Sequence, residues 1–274
     1  MNKEQLLKAC ETELKHVKKH ERDMQRRAMK SGATWKAVVG GSIPDKVYDG
    51  LQEAFAKAFG IIFDEGVGII EKTYNKKELA DDFFVDNFVV DTKMSARDLR
   101  KIREKAKSSE MVNSLITTVE GVGLGLLGIG IPDIVIFLGF IMKSVYETAL
   151  KYGYEYETPR ERYFILKLMS ASLKKREKWI RADMEIDELI SKGTQNLPVP
   201  APDALAEQQD LTAEDFALDM LVTKFIQGLP IIGAVGGLCN PLYYKKILQY
   251  VQIKYYKRYL IDKMNYAKGI TEEE

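Results

Sequence analysis

Apolar residues recur three and four positions apart along most of this 274-residue chain, the period of a helix with one face buried. In the first thirty positions Leu7, Cys10, Leu14, Val17, Met24 and Ala28 form one narrow stripe, which predicts a long first helix whose other faces meet solvent. The stretch WKAVVGGSIPDKVYDGLQEAFAKAFGII reads as a second helix, with Ser42 and Asp45 spaced as a capping box, Pro44 in the first turn, and Val47, Leu51, Phe55, Ala58 and Ile62 as its stripe. Asn75 with Glu78, and Ser95 with Asp98, repeat that cap ahead of an acidic helix and a mixed-charge one. Nothing between residues 64 and 110 alternates with period two. Gly153 suits the left-handed position that ends a helix, and Thr158 with Pro159 opens the next, with Ile165, Leu166, Met169 and Leu173 inward. Residues 193–210, GTQNLPVPAPDALAEQQD, hold three of the eight prolines and predict a polar loop. The chain then resumes at LTAEDFALDM, capped by Thr212 and Asp215, and closes in a helix with Tyr244, Ile247, Leu248, Val251 and Tyr255 inward. Lys245, Lys246, Lys254, Lys257 and Arg258 are expected on the outer face of that last helix.

Two stretches lack charge almost entirely. From Gly121 to Met142 the only ionisable side chain is Asp133, and Gly121, Gly123, Gly125, Gly128 and Gly130 precede Pro132. Such a segment predicts a helix from Pro132 packed on all sides, in protein or in lipid. The second is FIQGLPIIGAVGGLCNPLYY, with Pro230, Gly233, Gly236, Gly237, Asn240 and Pro241. Thirteen Leu, Ile, Val and Phe between Val122 and Ile141 favour insertion by roughly 4 to 8 kcal/mol, and a central Asp alone offsets roughly 3. A single span is therefore marginal, and the alternatives are apolar hairpins against a bilayer or the core of a helical protein. GGSIPD, GIGIPD and GGLCNP place glycines before a proline that opens a helix three times over, a device for close backbone approach.

Charge changes the picture locally. The chain balances 41 basic against 40 acidic residues, so nothing points to nucleic acid. Between Lys15 and Lys36, however, eight Lys or Arg face only Glu21 and Asp23. Lys15, Lys18, Lys19, Arg22, Arg26 and Arg27 are candidates for contact with anionic lipid headgroups, as are Lys245, Lys246, Lys257 and Arg258. KKREKWIR makes a further basic patch around Trp179. Cys10 and Cys239 lack metal or redox spacing and are expected as core thiols of a cytoplasmic protein. His16 and His20 sit at i and i+4, where Glu13 would have to complete a metal site, but HVKKH lacks the glutamate of a zincin motif. Gly123, Gly125 and Gly128 spell GxGxxG without the strand that a dinucleotide site requires. No catalytic set, metal site or cofactor emerges, and Glu120, Asp133 and Glu147 are more simply read as caps and helix-end charges.

The Gly-rich run ending IPD, the helix ending KYGYEYETPRERYFIL, and LPIIGAVGGLCNPLYYKKILQYVQIKYYKRYL together resemble the EcsC family, over roughly residues 36–262. That family has no established activity. Its founding member is encoded beside a two-subunit ABC transporter associated with protein secretion, so the resemblance implies an accessory, membrane-proximal role. The expectation is an all-α protein of about ten helices, with Gly-rich apolar hairpins and the helix from Pro132 at its centre. Residues 1–34 are expected as a basic N-terminal helix and 35–274 as the EcsC-like domain. The expected function is non-enzymatic: a cytoplasmic, membrane-associated accessory protein meeting a bilayer or a membrane protein such as an ABC transporter. The Gly-rich segments (Gly123, Gly125, Gly128, Gly130, Pro132, Asp133, and Pro230 to Pro241) and the basic rims would make that contact. The alternatives are a soluble carrier of a lipid-like ligand and an enzyme using buried carboxylates.

Overall fold

The structure is a computed structural model that describes residues 3–30, 45–107, 131–226 and 241–269, with side chains except at 65, 69, 131–133, 223–226 and 241–243. It is all-helical, and among the described residues there is no strand. Helix α1 is Lys3–Lys30, and α2 is Asp45–Ile61, continuing through a π turn (Ile62–Gly66) into Val67–Glu71. Helices α3 (Lys76–Lys93) and α4 (Ala96–Lys107) follow, then α5 (Ile131–Leu150), α6 (Pro159–Leu173), α7 (Arg176–Ser191), α8 (Pro202–Ile226) and α9 (Pro241–Lys268). The caps expected at α3, α4 and α6 form: Glu78 N donates to Asn75 Oδ1 at 3.1 Å, Asp98 N to Ser95 Oγ at 3.2 Å, and Glu161 N to Thr158 Oγ1 at 3.2 Å. Gly153 sits at φ +80°, where a Cβ would run into the Phe83 ring.

One expectation is overturned between residues 202 and 226. Helix α8 begins at Pro202, whose missing N–H and fixed φ suit a first turn. It runs without interruption past Thr212, so residues 202–210 are helix rather than loop. Thr212 caps nothing: its buried hydroxyl donates to Gln208 O at 2.7 Å. Asp215 reaches across to Ser170 and Lys174, each at 2.5 Å.

The centre also differs from the reading of the sequence. Helix α5 is largely buried as expected, through Ile134, Leu138, Met142, Val145 and Tyr146. The helix that most others touch, however, is α9, which lies along α1 and also against α4, α5, α6 and α7. A second group, α2 with α8, α5 and the far side of α6, closes around Phe55, Phe59 and Phe216, whose rings pack 5.3 to 5.7 Å apart. Helix α1 buries Leu6, Cys10 and Val17, with Leu7, Leu14, Met24 and Ala28 half-buried beside them, on the stripe its sequence lays out. Burial pushes the Cys10 thiol up to about 12, which leaves it an inert core residue. Among the described residues, no helix is long and apolar enough to cross a membrane.

Candidate functional site

The polar side chains of α9 are mostly turned inward, and each finds its partner on a different helix. Arg258 is 1% exposed, donating from Nη1 to both Glu161 carboxylate oxygens at 2.8 Å and from Nε to Thr194 at 2.9 Å. Lys254, 0% exposed, lies among Glu21 at 2.7 Å, Asp183 at 2.8 Å and Asp187 at 2.7 Å, and Lys257 shares Glu21 and Asp187. Lys263 holds Asp91 at 2.7 Å. The expected outer face of α9 is therefore corrected: Lys254 and Arg258 are internal, and Lys257 is spent on two carboxylates. A charge in the interior is costly unless paired, and these pairs tie α9 to α1, α6, α7 and α3. Lys246 reaches Asp219 at 3.5 Å, and Lys245 remains exposed.

Glu21, Asp183 and Asp187 are the one group of carboxylates among the described residues close enough to hold a metal ion. Two lysine ammonium groups already occupy the space between them. Glu13 is likewise committed. It is fully buried, accepting from Arg103 at 2.8 Å, Arg100 at 3.2 Å and the Tyr256 hydroxyl at 3.0 Å. His16 and His20 stand exposed on α1, and among the described residues their rings do not come together with the Glu13 carboxylate as a metal-binding group.

The outer side of α1 has the opposite character. At about 100° per residue, Lys15, Lys18, Lys19, Arg22 and Arg26 fall opposite the Cys10–Val17 stripe, and all five are exposed. Asp23 interrupts them, and the hydrogen bond from Arg26 holds its carboxyl below the usual range. His20 and Arg27 flank the buried stripe instead, and there they edge a cavity of about 400 Å³ between α1, α4 and α9. Its walls are apolar, from Met24, Tyr152, Tyr244, Leu248 and Ile253. Around them stand His20, Arg27, Arg103, Lys107 and Lys245, and among the described residues no carboxylate lines it. A neighbouring cavity of about 530 Å³ shares Met24, Arg27, Lys245 and Gln249 with it and extends to Trp179. The sequence showed the cations of α1 but not this hollow, which depends on how α4 and α9 cross it.

Of the other candidates, Gly123, Gly125, Gly128, Gly130, Pro230, Gly233, Gly236, Gly237 and Asn240 lie outside the described residues, as does Glu120. Pro132, Asp133 and Pro241 are in the first turns of α5 and α9, without described side chains. Glu147 pairs with Lys143 at 3.5 Å.

The chain matches the EcsC protein family over residues 9–260, a span that takes in most of α1 as well as the 193–210 segment. No curated protein and no solved structure matches it.

Proposed function

We propose, from the premise that the chain belongs to the EcsC protein family, that it is a non-enzymatic accessory protein which rests on an anionic membrane surface through the outer face of α1. The observation that carries this reading is how the cations are sorted. Lys254, Lys257, Arg258 and Lys263 of α9 are turned inward and neutralised, whereas Lys15, Lys18, Lys19, Arg22 and Arg26 stand together on the solvent side of one helix. A basic side chain near an anionic leaflet contributes about 1 kcal/mol. Five therefore give reversible attachment, weaker than the micromolar range on their own. Attachment of that strength suits a protein that also grips a membrane-protein partner, such as the ABC transporter the family resemblance implies. The Gly-rich apolar segments are not needed for this, since α1 alone supplies the charge. 

Flotation with phosphatidylglycerol vesicles, at sodium chloride from about 50 mM to about 500 mM, tests the reading. Screening shortens the reach of exposed charges from more than 10 Å to under 5 Å across that range. Binding that falls steeply with salt, and is absent on phosphatidylcholine, is expected. Binding that ignores salt, or none to either vesicle, rejects the proposal.

A further inference from the structure

We propose that the cavity between α1, α4 and α9 binds one amphiphile with a phosphate head and a single acyl chain. Its composition supports both halves of that ligand. Apolar walls from Met24, Leu248 and Ile253 suit a chain, and at about 400 Å³ the hollow is within the range of small-molecule sites. The adjoining cavity along Trp179 gives a longer tail somewhere to lie. Cations from three helices border the same space, those of α4 already paired with Glu13 and Glu104. Among the described residues no carboxylate pairs with His20, Arg27 or Lys245, and the His20 ring meets only the His16 carbonyl, at 3.0 Å. A carboxylate is satisfied by one such group, whereas a phosphate monoester carries close to two charges and three acceptor oxygens.

Tyr152 supplies the independent observation. It is 2% exposed and lines this cavity, and its hydroxyl has no hydrogen-bond partner among the described residues. Its ring is fixed against Tyr256 at 5.8 Å and Tyr259 at 6.0 Å. Tyr152 stands just past the end of α5, beside the hollow that Arg103 and Lys107 of α4 border. Burial keeps the phenol protonated, hence a donor. A buried donor left unmade is costly, and an anion in the cavity would satisfy it. This site shares none of the five side chains of the outer α1 face, so it stands or falls separately from vesicle attachment.

The test is isothermal calorimetry of the full chain with dodecyl phosphate below its micelle concentration, beside dodecanol, dodecanoate and inorganic phosphate. One-to-one binding of dodecyl phosphate, at least about tenfold tighter than each of the other three, is expected. Lys245→Gln and Tyr152→Phe should each weaken it about tenfold or more, the range for a hydrogen bond to a charged group. Tyr152→Phe removes a hydroxyl that pairs with nothing among the described residues, so its melting temperature should match or exceed that of the parent, and weakened binding cannot then be blamed on unfolding. Dodecanoate or dodecanol binding as tightly as dodecyl phosphate, a stoichiometry of many, or a Tyr152→Phe chain that binds like the parent would overturn the proposal.

Discussion

Arg258 shows most plainly what a single residue does here. Its guanidinium is stacked 3.9 Å over Tyr154 and shared between Glu161 and Thr194, and Tyr255 donates to the same Glu161 carboxylate at 2.6 Å. Glu161→Gln would leave that charge buried with only neutral partners. It should cost about 3 to 5 kcal/mol, because removing one side of a buried pair strands the other, and urea denaturation reads the loss directly. A loss under about 1 kcal/mol would mean that solvent reaches the pair. The sequence does not announce this, since Lys and Arg look alike on the page whether they face water or a carboxylate. A trace of it is present: Ile247, Val251, Lys254 and Arg258 follow one another at helical spacing, so the two charges continue an apolar stripe. Glu13 behaves in the same way, one turn from Cys10 and Val17 on the buried side of α1.

Among the elements, α4 is held at its start by a reciprocal cap, and both partners of that cap can be tested. Ser95→Ala should cost about 1 kcal/mol, measured by denaturant midpoint. Asp98 accepts from Ser95 Oγ at 2.5 Å and from Lys101 at 3.1 Å, and the serine hydrogen bond is the main cause of its lowered pKa. A carboxyl with a folded pKa below its unfolded value stabilises the fold fully above the unfolded value and loses that contribution as pH falls through the folded one. Asp98→Asn should therefore flatten the stability profile below about pH 4, and an unchanged profile would refute the coupling. Caps at α3, α4 and α6 were readable because each rests on residues three apart in the chain. The start of α8 was not, because three prolines within five residues carry a loop signal, while Ala204, Leu205, Ala206 and Glu207, good helix formers, follow the last of them. Limited proteolysis should accordingly cut within 193–201 and spare 202–210. Early cleavage after Leu205 or Gln208 would contradict a continuous α8.

For the whole molecule, α1 is both wall and outer surface: its inner face closes on α9 through Glu13 and Glu21, and its outer face keeps the basic residues in water. The all-helical class and the stripe of α1 could be read from periodicity, and the buried α5 from its lack of charge, all of them local signals. The position of α9 among its neighbours, and the cavity it forms with α1 and α4, arise from packing between residues more than sixty positions apart, to which no local pattern points. The central claim is that the outer face of α1, and not the chain's charge in general, attaches the protein to an anionic surface. It is tested most directly by flotation of a Lys15→Glu, Lys18→Glu, Lys19→Glu, Arg22→Glu chain on phosphatidylglycerol vesicles at low salt, with its helical circular dichroism confirmed. The expected result is a folded chain that stays in the unbound fraction, while the parent floats with the vesicles. A folded variant that floats as the parent does would contradict the claim.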